Sequence, residues 1–206
     1  MELKLDEGAR ALVIVAHPDD ETIWMGGTIA RHKNVYWTIA ALCRKSDPDR
    51  MPKFLRVAKY YGTRGLIFDL EDEGVMNIQE SIPAVQNILR KELPPPPGGP
   101  AGRWDVVFSH GANGEYGHPR HKGAHRAVKQ MLETGEVEAK AAFCFAYRLD
   151  GTKKIGVPQK NAPYGIKLSE REWRAKRSVI RELYGFKAQS FENRSCAPME
   201  TFSKYV

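Results

Sequence analysis

The chain has 206 residues, of which 42% are hydrophobic, and it carries a formal net charge of +7. This apolar content excludes a disordered chain, and no apolar run reaches the roughly 18–20 residues that cross a bilayer. The charged start, which lacks a signal-like apolar stretch, predicts a soluble, cytoplasmic protein. The basic residues are scattered rather than clustered, so we expect no nucleic-acid partner.

Apolar runs alternate with segments of helical periodicity along the chain. In chain order the patterns predict a strand at 11–16, a helix at 22–32, a strand at 35–43, a helix at 51–62, a strand at 65–70, a helix at 82–92, a Pro/Gly-rich loop near 93–103, a strand at 104–110, a helix at 119–133, a strand at 141–147, an irregular loop at 150–167 and a helix at 169–184. This alternation predicts one α/β domain over 1–206, with a Rossmann-like three-layer architecture and a mostly parallel central sheet.

The first strand runs into the sequence A-H-P-D-D-E at residues 16–21. His17 and Asp20 are three residues apart across a strand-to-helix turn, and an imidazole and a carboxylate both suit zinc. A divalent cation would offset the repulsion between neighbouring carboxylates. Asp19 would then be free to act on an attacking water, and Glu21 would support the first helical turn. The plain alternative is a helix N-cap with surplus surface acids.

A second polar cluster, G-E-Y-G-H-P-R-H at 114–121, follows the strand at 104–110. The carboxyl ends of parallel strands meet at one edge of a sheet, so we expect the two clusters to converge. One of His118 and His121 would complete a three-ligand zinc site, and the other would stabilise an oxyanion or protonate a leaving group. The alternative is an exposed stripe of histidines on one helix.

These two motifs, with the glycine pair at 26–27, resemble the PIG-L/LmbE-like deacetylases. The resemblance implies a zinc-dependent amidohydrolase acting on linear amides. It would remove an acyl group, expected to be acetyl, from an N-acetylated amino sugar such as an N-acetylglucosamine derivative or a related small conjugate. It also implies one Zn²⁺ per chain, although another divalent metal would suit the same donors.

The resemblance assigns a role to each matching position. The implied zinc ligands are His17, Asp20 and His121; the implied catalytic residues are Asp19 as general base, His118 and Tyr116 at the developing oxyanion, with His118 also assisting departure of the amine; and the implied substrate-binding residue is Arg50.

One position departs from the family pattern. Many members have an acid between the two histidines, whereas this chain has Arg120, whose guanidinium cannot accept a hydrogen bond. Either another carboxylate supports His118, with Glu115 as the candidate, or that histidine is more neutral. The departure also favours the alternative of a non-catalytic metal- or sugar-binding module of the same fold. The oligomeric state is left open, and a homo-oligomer is compatible with the sequence.

Overall fold

The structure is a computed structural model that describes residues 1–97, 103–152 and 154–205. Its elements in chain order are β1 (Arg10–Val15), α1 (Asp20–Arg31), β2 (Tyr36–Ala41), α2 (Arg50–Tyr61), β3 (Arg64–Ile67), α3 (Ile78–Glu92), β4 (Arg103–Ser109), α4 (Pro119–Glu133), β5 (Glu138–Phe145), β6 (Tyr147–Leu149), β7 (Gly156–Pro158), β8 (Tyr164–Lys167), α5 (Glu170–Ser178), a π-helical turn (Val179–Leu183), α6 (Phe191–Ser195) and β9 (Met199–Lys204).

A seven-stranded sheet in the order β3-β2-β1-β4-β5-β9-β8 forms the centre of the molecule. The first five strands in chain order are parallel, and β1 lies between β2 and β4. A central parallel strand is covered on both faces, which accounts for the unbroken apolar run in β1. The predicted mostly parallel α/β sheet is confirmed.

Side chains of β1 alternate between two hydrophobic cores, one on each face of the sheet. Val13 and Val15 pack into the core that includes residues of α1 and α2, whereas Leu12 and Ile14 pack into the core that includes residues of α3 and α4. Helices therefore cover both faces, which confirms the predicted three-layer arrangement.

The last part of the sheet differs from the prediction. Residues 150–167 were expected to be an irregular loop, but they contain β7, which pairs with β6, and β8, which pairs with β9. The strand β9 was not predicted at all, and it joins β5 in the antiparallel sense. These strands are three to six residues long and mix glycine, lysine and glutamate with apolar residues, so their periodicity is weak.

Helix α3 begins one turn earlier than the predicted residue 82. The Asn77 side chain accepts hydrogen bonds from the backbone N–H groups of Gln79 and Glu80, and the Glu80 side chain accepts one from the Asn77 N–H. This reciprocal capping box starts the helix, and its N-x-x-E pattern was present in the sequence. The C-terminal helix predicted at 169–184 is α5 continued by the π-helical turn.

The predicted loop near 93–103 falls partly outside the described residues. Residues 93–97 contain neither helix nor strand, 98–102 are among those not described, and β4 already begins at Arg103. Among the described residues, no helix combines the length and the apolar character needed to cross a membrane.

The strand register brings the two polar clusters together. Ile14 of β1 lies beside Ser109 of β4, so residues 16–21 and 110–121 leave the sheet at the same edge. The loop at 68–77 follows β3 and leaves from this edge as well, because β3 is parallel to β2. Three chain segments that are distant in sequence thus surround one point beyond the carboxyl ends of the strands.

Candidate metal centre and active site

Three polar atoms form a nearly equilateral triangle at this edge of the sheet. His17 Nδ1 lies 3.2 Å from His121 Nε2, and each of these nitrogens lies 3.3 Å from Oδ2 of Asp20. His17 follows β1, Asp20 is the first residue of α1, and His121 lies in the first turn of α4. The structure therefore brings together the three side chains that the resemblance implied as ligands.

Carboxylates outside the triangle orient both imidazoles. His17 Nε2 lies 3.1 Å from Asp72 Oδ1, and His121 Nδ1 lies 2.6 Å from Glu115 Oε2. A carboxylate can only accept, so each outer nitrogen donates and the inner nitrogen of each neutral ring presents a lone pair. Such carboxylate–histidine pairs are typical of metal sites, where they fix the tautomer of the ligand.

Two donors hold the carboxylate of Asp20. Trp24 Nε1–H donates to Oδ1 over 2.9 Å, and the backbone N–H of His17 donates to Oδ2 over 2.9 Å. Burial would raise the pKa of Asp20, but the imidazoles of His121 and His110 hold it well below its usual value. Asp20 is therefore ionised, and its Oδ2 forms the third corner of the triangle.

The triangle has the size and the chemistry of a divalent metal site. In a tetrahedral zinc site with bonds of about 2.0–2.1 Å, neighbouring donors lie roughly 3.3 Å apart. Burial alone would lower the pKa of both imidazoles, but Asp20, with Asp72 or Glu115, raises that of His17 to about 9 and that of His121 to about 10. At these pKa values each ring holds a second proton on its inner nitrogen, next to the carboxylate of Asp20. Zinc would displace both protons and take up the two lone pairs and the carboxylate oxygen, so these residues fit zinc.

Three other groups of side chains at this edge could hold a metal: His17 and His121 with His118, Asp20 and His121 with His110, and His17 and Asp72 with Cys43. The last two groups are less suitable as ligand sets. His110 Nε2 accepts a hydrogen bond from the backbone N–H of Ala16 over 2.8 Å, so its lone pair is already engaged. Cys43 lies near His17 and Asp72, but burial raises the pKa of its thiol, and only a thiolate binds zinc well.

The nearby histidine His118 has a different position. Its ring packs edge-on against that of His17, with centroids 4.7 Å apart, and it lines the open cavity in front of the triangle. Its Nδ1 accepts the backbone N–H of Arg120 over 3.3 Å, so the neutral ring carries its proton on Nε2. Burial and the imidazoles of His121 and His17 lower the pKa of His118 to about 4.

The expectation that Glu115 supports His118 is wrong. Glu115 is fully committed to other groups, because its carboxylate binds His110, His121 and the backbone N–H of Gly111.

Arg120, the departure from the family pattern, faces away from the histidines. It is buried, and it donates from Nε to the backbone oxygen of Glu71 over 2.6 Å and from Nη2 to Glu71 Oε2 over 2.5 Å. The structure thus has a neutral His118 beside the triangle. This matches the second expectation from the sequence, namely that His118 is more neutral because no other carboxylate supports it.

Asp19 occupies the left-handed region of the backbone map, with φ 118°. Such a conformation in a non-glycine residue costs on the order of 1–3 kcal/mol and requires support from its surroundings. Glu21 gives this support, because its buried Oε2 accepts the Asp19 N–H over 3.1 Å while Oε1 accepts the hydroxyl groups of Thr22 and Tyr184. Burial and the charge of Asp20 raise the pKa of Asp19 well above its usual value.

The remaining predicted residues surround the same opening. Arg50 Nη1 lies 3.3 Å from Asp19 Oδ2, and its guanidinium stacks over the Phe186 ring at 4.6 Å. The Tyr116 ring lies 5.1 Å from that of His121, measured between centroids. A cavity of about 340 Å³ opens between them, and His17, Asp19, Asp20, Arg50, Tyr116 and His118 all line it. Hereafter it is called the reaction cavity.

Four residues that orient this site were not identified in that role from sequence. Asp72 lies in the loop after β3, Trp24 is in the buried face of α1, and both lack a motif. Glu115 was expected to support His118 rather than His121, and His110 is the last residue of the predicted strand at 104–110, where it carries no motif of its own. The sequence does contain one indication of Asp72: three consecutive acids at 71–73 follow an apolar strand.

Comparison with known proteins agrees with this geometry. Residues 12–132 match the PIG-L family, whose description is GlcNAc-PI de-N-acetylase, and this range is more than half of the chain. The chain belongs to the PIG-L family. The resemblance inferred from the motifs is therefore confirmed.

One curated relative of this PIG-L family member is the 1D-myo-inositol 2-acetamido-2-deoxy-alpha-D-glucopyranoside deacetylase of Rhodococcus erythropolis (strain PR4 / NBRC 100887). The two are 27% identical over 177 residues, which covers 66% of this chain and 55% of the relative. The chain thus spans about half the length of that relative.

Two solved structures have a similar fold. The 4-carboxy-2-hydroxymuconate hydratase GalB of Pseudomonas putida KT2440 has a TM-score of 0.60 at 16% identity, covering 90% of this chain and 82% of its own. The A40926 pseudoaglycone deacetylase Dbv21 has a TM-score of 0.62 at 14% identity, covering 98% of this chain and 99% of its own. At this level of identity the two structures support the shared fold alone.

Proposed function

We propose that this PIG-L family member is a metal-dependent N-deacetylase that removes an acyl group, expected to be acetyl, from an N-acetylated amino sugar or a related small conjugate. The observation that carries the proposal is the triangle of His17, Asp20 and His121 with a buried, strained carboxylate, Asp19, beside it. A bound Zn²⁺ would polarise the acyl oxygen and make a water molecule a better nucleophile at neutral pH.

Asp19 is proposed to accept a proton from the attacking water. Its raised pKa makes it a stronger base than an exposed aspartate, and its left-handed backbone is held in place by Glu21. The water oxygen then bonds to the amide carbon, and the carbon–nitrogen bond breaks afterwards. The proton taken up by Asp19 is delivered to the departing nitrogen. The second proton of the water leaves when the new carboxylic acid ionises and is taken up by the amine, so the products are a carboxylate and a protonated amine.

His118 and Tyr116 are proposed to stabilise the negative charge that develops on the acyl oxygen. The neutral His118 carries its proton on Nε2, and it can therefore donate a hydrogen bond without first acquiring a second proton. Tyr116 is mostly buried, and burial raises the pKa of its hydroxyl, so the hydroxyl stays a donor. Preorganised donors of this kind are a major source of catalysis in acyl transfer.

Arg50 is proposed to contact the sugar. Its guanidinium lies at the wall of the reaction cavity, where the ring of Phe186 restricts its movement. The curated relative acts, by its name, on a 2-acetamido-2-deoxyglucopyranoside, which supports an N-acetylglucosamine-type substrate here.

A cytoplasmic location and the lack of a nucleic-acid partner stay predictions from the sequence, as does the single domain.

Release of free amine from a panel of N-acetyl amino sugars tests this function directly. The zinc-loaded protein should generate amine and acetate in equal amounts, and the Asp19→Asn variant should not. If the protein binds zinc but releases no amine from any sugar of the panel, the non-catalytic binding module becomes the correct description.

A further inference from the structure

A second cavity adjoins the reaction cavity. It has a volume of about 560 Å³, within the range of small-molecule sites, and it lies between the loop at 72–77 and the first turns of α3 and α4. Asp72 and His118 line both cavities, so the pair forms the boundary between them. A ligand whose amide lies in front of the triangle can therefore extend past these two residues.

Apolar side chains form much of the wall of this second cavity. Met76, Ile78 and Pro119 line it, and Val75, in the same loop, is 85% exposed to solvent. Ile78 is half-buried, yet it packs against neither hydrophobic core of the described residues. An apolar residue that is covered by no core and lies at a cavity next to a reaction centre is typical of a substrate-binding wall.

Two of the charged residues that line the second cavity are bound to partners. Asp72 accepts hydrogen bonds from Arg44 over 2.8 and 3.1 Å in addition to its contact with His17, and Arg120 is bound to Glu71. Nη1 of the buried Arg120 has no hydrogen-bond partner among the described residues, and the exposed Arg126 also lines the cavity. The apolar side chains that share this wall favour an apolar ligand.

We propose that the second cavity binds an apolar substituent of the substrate, such as an alkyl or aryl aglycone linked to the N-acetylated amino sugar. The proposal rests on the proposed deacetylase function and specifies its substrate class. Because the substituent lies away from the reacting amide, it binds equally well before and during the reaction. We therefore expect it to lower KM and to leave kcat nearly unchanged.

A glycoside series on the zinc-loaded protein tests the proposal. The substrates are N-acetylglucosamine and its methyl, hexyl and phenyl glycosides, each in both anomeric forms. Burial of several methylene groups should raise kcat/KM of one hexyl glycoside at least about tenfold over that of the methyl glycoside. Equal values of kcat/KM across the series would overturn the proposal and leave the deacetylase function intact.

Variants of Ile78 test whether the higher kcat/KM of the hexyl glycoside arises in the second cavity. Ile78→Trp fills the cavity and Ile78→Ser removes part of its apolar wall, so both should lose most of the hexyl advantage while turnover of free N-acetylglucosamine is retained. Ile88→Trp is the matched control, because it lies on the same helix about 15 Å further along and should keep the advantage. A hexyl advantage that survives in both Ile78 variants would contradict the assignment.

Binding measurements separate this proposal from the proposed function. If no glycoside is deacetylated, the function is wrong, and calorimetric titration with the hexyl glycoside still decides the role of the cavity. Binding to the wild type that is weakened at least about tenfold by Ile78→Trp supports the apolar site. Equal binding to both proteins, or none to either, overturns it.

Discussion

At the scale of single residues, the site depends on which atom of each side chain faces inward. When neutral, His17 and His121 each present a lone pair because Asp72 and Glu115 accept the proton of the opposite nitrogen. That the three proposed ligands and Asp19 lie together could be predicted because they belong to two short motifs. The two orienting carboxylates could not, since nothing in the sequence shows which of several nearby acids faces which ring.

We expect Asp19→Asn to retain zinc affinity and to lose at least about 100-fold in kcat, the usual contribution of a general base. Asparagine tolerates the left-handed backbone at this position, so the variant should fold. Asp69→Asn, a like change of an exposed residue at the end of β3, is the control. Wild-type turnover by Asp19→Asn would remove Asp19 as the base.

Glu115→Gln should weaken zinc binding by about 10–100-fold, because His121 would lose the acceptor that fixes its tautomer. Zinc affinity is measured by competition with a chelator of known affinity. Since a glutamine can still donate or accept at this position, the fold should survive, which circular dichroism checks. An unchanged zinc affinity would mean that Glu115 does not orient His121.

At the scale of elements, the first turn of α4 is attached to the loop at 71–76. Arg120 binds Glu71, and the carboxylate of Glu71 also accepts the backbone N–H groups of Val75 and Met76. The next residue in that loop, Asp72, orients His17. We therefore infer that the arginine that replaces the usual acid in the family motif helps to position Asp72 through this loop.

Arg120→Met should reduce zinc affinity by roughly tenfold, because a loosened loop positions Asp72 less well. Its effect should not add to that of Asp72→Asn, since both act through His17. Arg90→Met is the matched control: it breaks the exposed Arg90–Glu136 ion pair and should leave zinc affinity unchanged. Additive losses in the double variant would show that Arg120 acts by another route.

The ion pair between Arg31 of α1 and Glu172 of α5 should stabilise the fold in a pH-dependent way. Hydrogen bonding to Arg31 lowers the pKa of Glu172 to about 2 from an ordinary value of 4.5. A carboxylate with a lowered pKa contributes its full stability above about pH 4.5 and loses it as pH falls towards 2. We expect Glu172→Gln to cost about 1 kcal/mol in urea unfolding at pH 7 and less at pH 3. A cost that does not shrink at pH 3 would contradict this pairing.

The elements that the sequence did not predict share one physical feature. β9 pairs in the antiparallel sense with β5 on one side and with β8 on the other, and both are contacts between distant segments. Their own composition carries little signal, whereas β1 and β4 contain long apolar runs because helices cover both of their faces. Prediction therefore succeeded for the parallel centre of the sheet and failed at its antiparallel edge.

At the scale of the whole molecule, the sheet places three chain segments around one point. Residues 16–21, 68–77 and 110–121 are far apart in sequence, and only parallel strands in the order β3-β2-β1-β4 bring them to the same edge. A metal bound there would join residues 16–21 to residues 110–121, and the loop at 68–77 would be linked to it through Asp72 and His17. It would therefore stabilise the folded chain as well as supply chemistry.

The central claim is tested most directly by zinc per chain, measured by elemental analysis after chelator-free purification and brief zinc reconstitution. We expect about one tightly held zinc per chain in the wild type. His121→Ala, which removes one corner of the triangle, should lose most of it. No retained zinc in the wild type, or the same zinc content in His121→Ala, would contradict the proposed metal site.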